Sequence, residues 1–261
     1  MDEYVGTIGM IFIGIFVNTF LYGIVSVQFI RYCQAGVSDV RAFRALFVST
    51  FLVDTAYSAL VVQLLWHLCV TNYANPAIIY KPAWPIDIVP IPNAWSALVT
   101  QLFLTRRLWR LVSSKLLAAT CTLLAICGFA LAIWVTIQTR QAKLHVAHDQ
   151  IAGLEVQRPM IAWLITTVAT DIIITSALSV ALLRVRTGFG VTDRLVARLV
   201  RGAIQTGVVA TVFALGCLLS FVCWPEVDLD LVFGIPSGRV YTVVSKLHPD
   251  SYCCHNFKPS C

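Results

Sequence analysis

The chain has 261 residues, of which 58% are hydrophobic and only 12% charged, and a formal net charge of +6. A soluble domain carries about 25% charged residues, so half that share leaves too little polar surface to cover a water-soluble globule. The positive balance does not read as a nucleic-acid patch, because the basic residues stand at the ends of apolar runs, where lipid headgroups and the positive-inside bias place them.

The apolar residues fall in runs of 18 or more. A helix rises ~1.5 Å per residue and the hydrocarbon core is ~30 Å thick, so about 20 residues span it. The expected fold is therefore all-α, a polytopic integral membrane helix bundle of seven spans, the seventh weak, with the N-terminus outside and the C-terminus cytoplasmic. Residues 1–247 form one membrane domain, and 248–261 a cytoplasmic tail.

The first run opens with Met1, Asp2 and Glu3, acidic where a secretory signal needs basic residues, and it is too long for one. It reads as a retained span from about Tyr4 to Ile30. Gly6, Gly9 and Gly14 would allow close helix contact there, and Asn18 and Gln28 are its polar residues. A basic loop, Arg31 to Arg44, leads to span two, about Ala45 to Val70, which places Asp54 at membrane depth. The loop from Thr71 to Pro92 holds Pro76, Pro82, Pro85, Pro90 and Pro92, a composition that resists helix and strand alike.

Span three, about Asn93 to Leu111, is the least apolar of the first six, and its Ser96, Thr100 and Gln101 should face other helices rather than lipid. Arg106, Arg107 and Arg110 close it. Span four, about Leu116 to Ile137, is uniformly apolar. The segment Gln138 to Arg158 contains His145, His148, Asp149 and Glu155, a set read as a polar outer loop or helical hairpin top rather than a metal site because no third ligand is fixed. Span five starts at Pro159, a favoured first-turn residue, and runs to about Leu183 with Asp171 at its centre. Gly188 and Gly190 stop it. Thr192 and Asp193 offer an N-cap for span six, about Leu195 to Cys223, where Ala203, Gly207, Ala210 and Ala214 make a small-residue ridge. After an acidic turn at Pro225, Glu226 and Asp228, span seven covers about Leu229 to Leu247, interrupted by Gly234, Pro236, Gly238 and Arg239.

Orientation follows from counting. With the N-terminus outside, the inner loops hold twelve basic residues against four (Lys81, Arg140, Lys143, Arg158) in the outer ones, a clear positive-inside bias. Trp66, Trp95, Trp134, Trp163 and Trp224 fall near outer span ends, as an aromatic belt would. Of nine cysteines, Cys121, Cys127 and Cys217 lie in apolar runs as small hydrophobes. Cys69 and Cys223 fall at outer helix ends, where a disulfide is the minor alternative to free thiols. The tail thiols Cys253, Cys254 and Cys261 fit no zinc spacing; palmitoylation is the better reading of them.

Asp54 and Asp171 are the sharpest chemical signals. A carboxylate at the centre of a span costs at least ~2.5–3.5 kcal/mol on insertion scales, so each should face the interior and find partners, with Asn18, Gln101 or a threonine as candidates. A hydrogen-bonded interhelical pair outweighs an ion, proton or ligand site for them. Arg194, Arg198 and Arg201 are spaced four and three apart and share one helical face; with Arg184 and Arg186 they form a cytoplasmic basic face. Anionic lipid headgroups are its default partner, at ~1 kcal/mol per residue, and a cytosolic partner the sharper option. No catalytic triad, nucleophile elbow or phosphate loop occurs, so no catalytic residue, cofactor or metal is expected and the chain is not read as an enzyme. A retinal site would need a lysine well inside the last span, and Lys246 stands at its end. The Asp-Arg-Tyr and Asn-Pro-x-x-Tyr words of the common receptor class are missing.

Short words in a fixed order carry a family resemblance: Leu21-Tyr22-Gly23-Ile24 and Gln28; Asp54; Thr71-Asn72-Tyr73; Gln101-Leu102-Phe103 with Arg106-Arg107-Leu108-Trp109; Asp171; Arg186-Thr187-Gly188-Phe189; Thr192-Asp193-Arg194-Leu195; Thr206-Gly207. Over residues 1 to about 242 the chain resembles a group of seven-helix membrane proteins from mushroom-forming (basidiomycete) fungi, whose C-terminal part, here about 165–247, is a domain of unknown function. The resemblance implies seven spans and no assigned activity, and it stops after Tyr241, where the tail departs from the family pattern. The leading expectation is a receptor-like or sensor-like membrane protein. The alternatives are a small-solute or proton-coupled transporter using Asp54 and Asp171, and a structural membrane protein without ligand. Plasma membrane and endomembrane are not distinguished.

Overall fold

The computed structural model describes residues 2–34, 41–72, 84–112, 115–145, 152–184, 190–223 and 229–246. Among them there is no strand. The helices are α1 (Asp2–Gln34), α2 (Arg41–Trp66), the four-residue α3 (Trp84–Asp87), α4 (Pro90–Val112), α5 (Lys115–His145), α6 (Ala152–Arg184), α7 (Gly190–Cys223) and α8 (Asp230–Lys246). Seven are long. Five stretches are long and apolar enough to cross a membrane: Gly6–Gln34, Arg44–Thr71, Pro85–Arg106, Lys115–Gln141 and Arg158–Ala177. In α7 the apolar stretch Gly207–Cys223 is shorter.

The polarity of the bundle is inverted relative to a soluble protein. Phe12, Phe16 and Phe20 are all exposed along α1, and their spacing of four puts them on one stripe. Leu116, Leu123, Ile126 and Ile133 do the same on α5. Asn18, Asp54, Ser96, Gln101, Asp171 and Arg239 are instead buried. Water would penalise so much exposed apolar surface, whereas lipid accepts it and drives the polar groups inward.

The helices close a ring. Neighbours in sequence pack against each other from α4 through α8, α1 packs on α2 and α8, and α2 on α4; α4 also touches α6 and α8 and so lies centrally. That position explains why α4 is the least apolar span candidate and the most buried: little of it needs to satisfy lipid. The α1–α8 seam needs glycine. A Cβ on Gly14 would lie 2.8 Å from the Leu231 carbonyl oxygen and 3.4 Å from Val232 Cα, so the two backbones touch there. On the α1–α2 seam, Phe29 stacks on Phe51 with centroids 4.0 Å apart, and Tyr22 shares a 2.9 Å hydrogen bond with Thr55.

Several expectations are corrected. Gly6 and Gly9 have nothing within 4 Å of a built Cβ, so of the three early glycines only Gly14 makes a close contact. Of the two readings of Gln138 to Arg158, the helical one holds over most of its length, since α5 runs to His145 and α6 starts at Ala152. Gln, Ala, Lys and Leu are good helix formers, and a helix need not stop where the hydrocarbon does. Pro159 is therefore interior to α6, not in its first turn. The proline-rich outer loop also contributes helix: α3 forms at Trp84–Asp87 and α4 begins at Pro90, where first-turn prolines lose no intrahelical bond. Since α7 begins at Gly190, Thr192 and Asp193 stand inside its first turn rather than capping it.

Trp163 is buried against Ala132, Val135 and Leu164 instead of lying in the lipid belt, while Trp66 and Trp134 are exposed as expected. Cys69 and Cys223 are free thiols, so no disulfide joins them. At the end of α2 the chain passes into a π-helical turn, His67–Thr71. Asn72 closes it by donating from its backbone N–H (3.2 Å) and from Nδ2 (3.0 Å) to the His67 carbonyl oxygen.

Candidate functional site

The weak seventh span proves to be largely enclosed by its neighbours in the bundle. In α8 Ile235, Pro236, Gly238, Arg239, Val240, Tyr241 and Thr242 are all buried. Its glycines and polar residues are not interruptions of a lipid-facing helix. They are what a helix needs when its neighbours are other helices rather than acyl chains.

Two polar clusters and one amide clamp hold it. In the first cluster the Arg239 guanidinium forms a fully buried ion pair with Asp54 of α2. Its Nη2 also donates to the Asp54 carbonyl oxygen (2.9 Å) and to Ser58 Oγ (3.2 Å). Ser96 of α4 donates to Asp54 Oδ1 at 3.2 Å, and Thr242 to Oδ2 at 2.8 Å. Asn18 of α1 reaches the cluster through Ser58, at 3.4 Å. Arg239 also stands over the Tyr57 ring, 5.1 Å from its centroid, a favourable cation–π distance. Three helices, α2, α4 and α8, thus meet at one carboxylate, and α1 joins the cluster through Asn18 and Ser58. Among the described residues, Arg239 Nε, Asn18 Oδ1 and Tyr57 Oη keep no protein partner.

In the second cluster Tyr241 donates to Asp171 Oδ2 at 2.5 Å, and Gln101 Nε2 donates to Oδ1 at 3.0 Å. Thr100 fixes the α8 backbone beside it by donating to the Tyr241 carbonyl oxygen, at 3.1 Å. The clamp is Asn93. Its Nδ2 donates to the Gly234 carbonyl oxygen (2.6 Å), and its Oδ1 accepts from Gly238 N–H (3.0 Å), so one amide bridges a rung of α8. The approach requires Gly238, where a Cβ would sit 2.5 Å from Asn93 Oδ1.

Helical geometry separates the clusters. Residues 239 and 242 are three apart and share a face, whereas 241 points elsewhere. Asp54 and Asp171, read together from the sequence as one candidate site, therefore lie on different sides of α8. Gln101 serves Asp171 rather than Asp54, and Asn18 is linked to Asp54 through Ser58 and Arg239. In the sequence Arg239 reads as an interruption of a weak span, yet an arginine inside a span is expensive and calls for a carboxylate, which Asp54 supplies. The Arg186 position, and the side chains of Arg184, Arg194, Arg198 and Arg201, lie outside the described residues, as do the tail cysteines and the His145, His148, Asp149 and Glu155 side chains.

A cavity of about 210 Å³ adjoins the second cluster. Its walls come from α3, α4, α5, α6, α7 and α8 and are mainly apolar. Asp87 of α3 and Asp230, the first residue of α8, mark one end; Gln101, Thr170 and Tyr241 lie deepest along their helices. That end of the cavity thus lies near the starts of α4 and α8 and the end of α7. No group of three or more His, Cys, Asp or Glu that could hold a metal occurs among the described residues.

Comparison with known families decides one point. Residues 167–247 match the model of a family of unknown function, DUF6534. The match corresponds to the C-terminal domain expected at about 165–247, and it takes in Asp171, Arg239, Tyr241 and Thr242. The DUF6534-like segment thus supplies α8 and the Asp171 carboxylate, while Asp54, Asn93, Ser96 and Gln101 precede it. Comparison with curated proteins and with solved structures gave no match.

Proposed function

We propose that the chain is a seven-span integral membrane protein, N-terminus outside, acting as a receptor-like or sensor-like protein for a small molecule. The observation that carries this reading is the apolar cavity with hydrogen-bonded polar side chains at its depth. Sites for small ligands have this composition. The twelve-to-four basic bias assigns the opposite face to the cytoplasm, so the cavity opens outward. The likeness to seven-helix membrane proteins of mushroom-forming fungi supports the same topology. In this reading the inner arginines Arg184, Arg186, Arg194, Arg198 and Arg201 meet anionic headgroups or a cytosolic partner, and no nucleic acid, catalysis or cofactor is involved.

The reading is tested through Cys223, an exposed thiol at the end of α7. In a variant keeping Cys223 as its single cysteine, a membrane-impermeant thiol reagent should label intact cells from outside. Labelling only after permeabilisation would reverse the topology and sink the proposal.

One observation favours a carrier instead: the cavity reaches Gln101 and Tyr241, the two side chains bonded to Asp171. A proton-coupled carrier predicts that Asp171→Asn and Asp54→Asn each abolish pH-driven solute uptake. Uptake unaltered in both variants excludes it. A purely structural role would suit the hydrogen-bonded state of both aspartates, but it gives no reason for the cavity beside one of them.

A further inference from the structure

We infer that the cavity takes a small neutral alcohol, an apolar body whose one hydroxyl lies at the deep end among Gln101, Thr170 and Tyr241. This rests on the receptor-like reading and specifies its ligand. The size follows from volume. A dry cavity of about 150 Å³ accepts benzene, so about 210 Å³ accommodates roughly eight or nine non-hydrogen atoms. Small side chains make the room. Ala97, Ala125, Gly128 and Ala214 line the walls, and a Cβ built on Gly128 meets nothing within 4 Å.

The headgroup follows from how the deep polar groups spend their protons. Thr170 donates to the Thr166 carbonyl oxygen at 2.7 Å. Thr167, three residues before it and on the same helical face, donates to the Trp163 carbonyl oxygen at 2.9 Å. Tyr241 donates to Asp171. Ser237, one turn outward on α8, donates to the Gly234 carbonyl oxygen at 2.9 Å. A hydroxyl has one proton and two lone pairs, so what these oxygens retain for a ligand is acceptor capacity. The matching donor is Gln101: one N–H of its amide goes to Asp171, and an amide has a second.

A ligand hydroxyl answers both needs. Its proton goes to one of the oxygens, and its lone pair accepts from Gln101. An ether or a ketone accepts but donates nothing, and a hydrocarbon leaves every deep group unmatched. An ammonium would need a carboxylate at this depth, and Asp171, engaged by Tyr241 and Gln101, is not part of the wall. A carboxylate ligand would meet lone pairs.

The test uses the full chain in phosphatidylcholine nanodiscs with three probes: phenethyl alcohol, its isomer benzyl methyl ether, which has no O–H, and propylbenzene. Saturable binding is measured by calorimetry, each affinity being referred to the probe's partition into empty nanodiscs. The alcohol should bind about tenfold more tightly than the ether, as one further hydrogen bond supplies, with propylbenzene weakest. In Thr170→Val that advantage should shrink while ether affinity is unchanged, which also reports an intact fold; Thr167→Val serves the same purpose should Thr170→Val fail to fold. Gly128→Leu should fill the cavity and abolish saturable binding of all three. Equal affinities for alcohol and ether, or an advantage kept in full in both threonine variants, overturn the alcohol inference and leave the ligand cavity standing. Saturable binding that persists in Gly128→Leu overturns it by placing the site elsewhere. Failure of all three to bind the unaltered chain overturns the receptor-like reading as well.

Discussion

Replacing Arg239 by methionine is expected to be the most damaging single substitution in the bundle, costing about 3–5 kcal/mol and removing most of the folded protein from detergent extracts. The cost comes mainly from what is left behind. Asp54 is buried on all sides and its ionic partner is Arg239. Without the guanidinium, Ser96 and Thr242 still donate to the carboxylate, but two hydroxyl bonds do not neutralise a charge at membrane depth. The group must then either stay ionised at high cost or take up a proton. Methionine fills a similar length, so the loss reports charge rather than volume. Thermal unfolding in micelles, with Arg239→Lys as the companion variant, checks this. Lysine keeps the charge but cannot reach Asp54 and Ser58 with separate nitrogens as Arg239 does, so it should recover only part of the loss.

The second large effect is steric. Gly14→Val should destabilise by about 3 kcal/mol or more, because overpacking against backbone has no flexible side chain to absorb it. The added Cβ would meet the Leu231 carbonyl oxygen at 2.8 Å, forcing α1 off α8 and opening the ring at its closing seam. Gly23→Val in the same helix is the control, since nothing lies within 4 Å of that position. A melting temperature lowered equally by both would mean that helix propensity, not the seam, set the result.

Most of the fold was legible in the sequence because a bilayer imposes a length and a polarity on each span. Spans one to six coincide with α1, α2, α4, α5, α6 and α7 to within a few residues at most ends, and the polar face of span three proved to be interior. What hydropathy could not show was how a helix continues beyond the hydrocarbon, as α5 does to His145, or where a helix stands in the bundle. Span seven, about Leu229 to Leu247, coincides with α8, and the second limit hid only its enclosed place in the bundle. Lipid exposure demands apolarity, and an enclosed helix is released from that demand, so α8 carried a weak span signal, as the central α4 did among the first six. The aspartates were found because each is costly on its own. Gln101 was legible as a partner; Arg239 and Tyr241 were not, because they acquire meaning only when residues 185 and 70 apart in sequence are brought together and when a rotation of α8 assigns one to each side. The cavity was invisible for the same reason: it belongs to six elements and to no motif.

The central claim is that α8 is an interior helix locked to α2 through Arg239 and Asp54, and a double-mutant cycle tests it most directly. Asp54→Asn, Arg239→Gln and the double variant are unfolded by SDS titration in micelles. If the pair holds the helix, each single variant strands a buried charge and the double variant strands none. The double variant should then be at least about 2 kcal/mol more stable than the sum of the single effects predicts. Single effects that add to within about 0.5 kcal/mol would show that the two side chains do not meet, and would contradict the placement of α8.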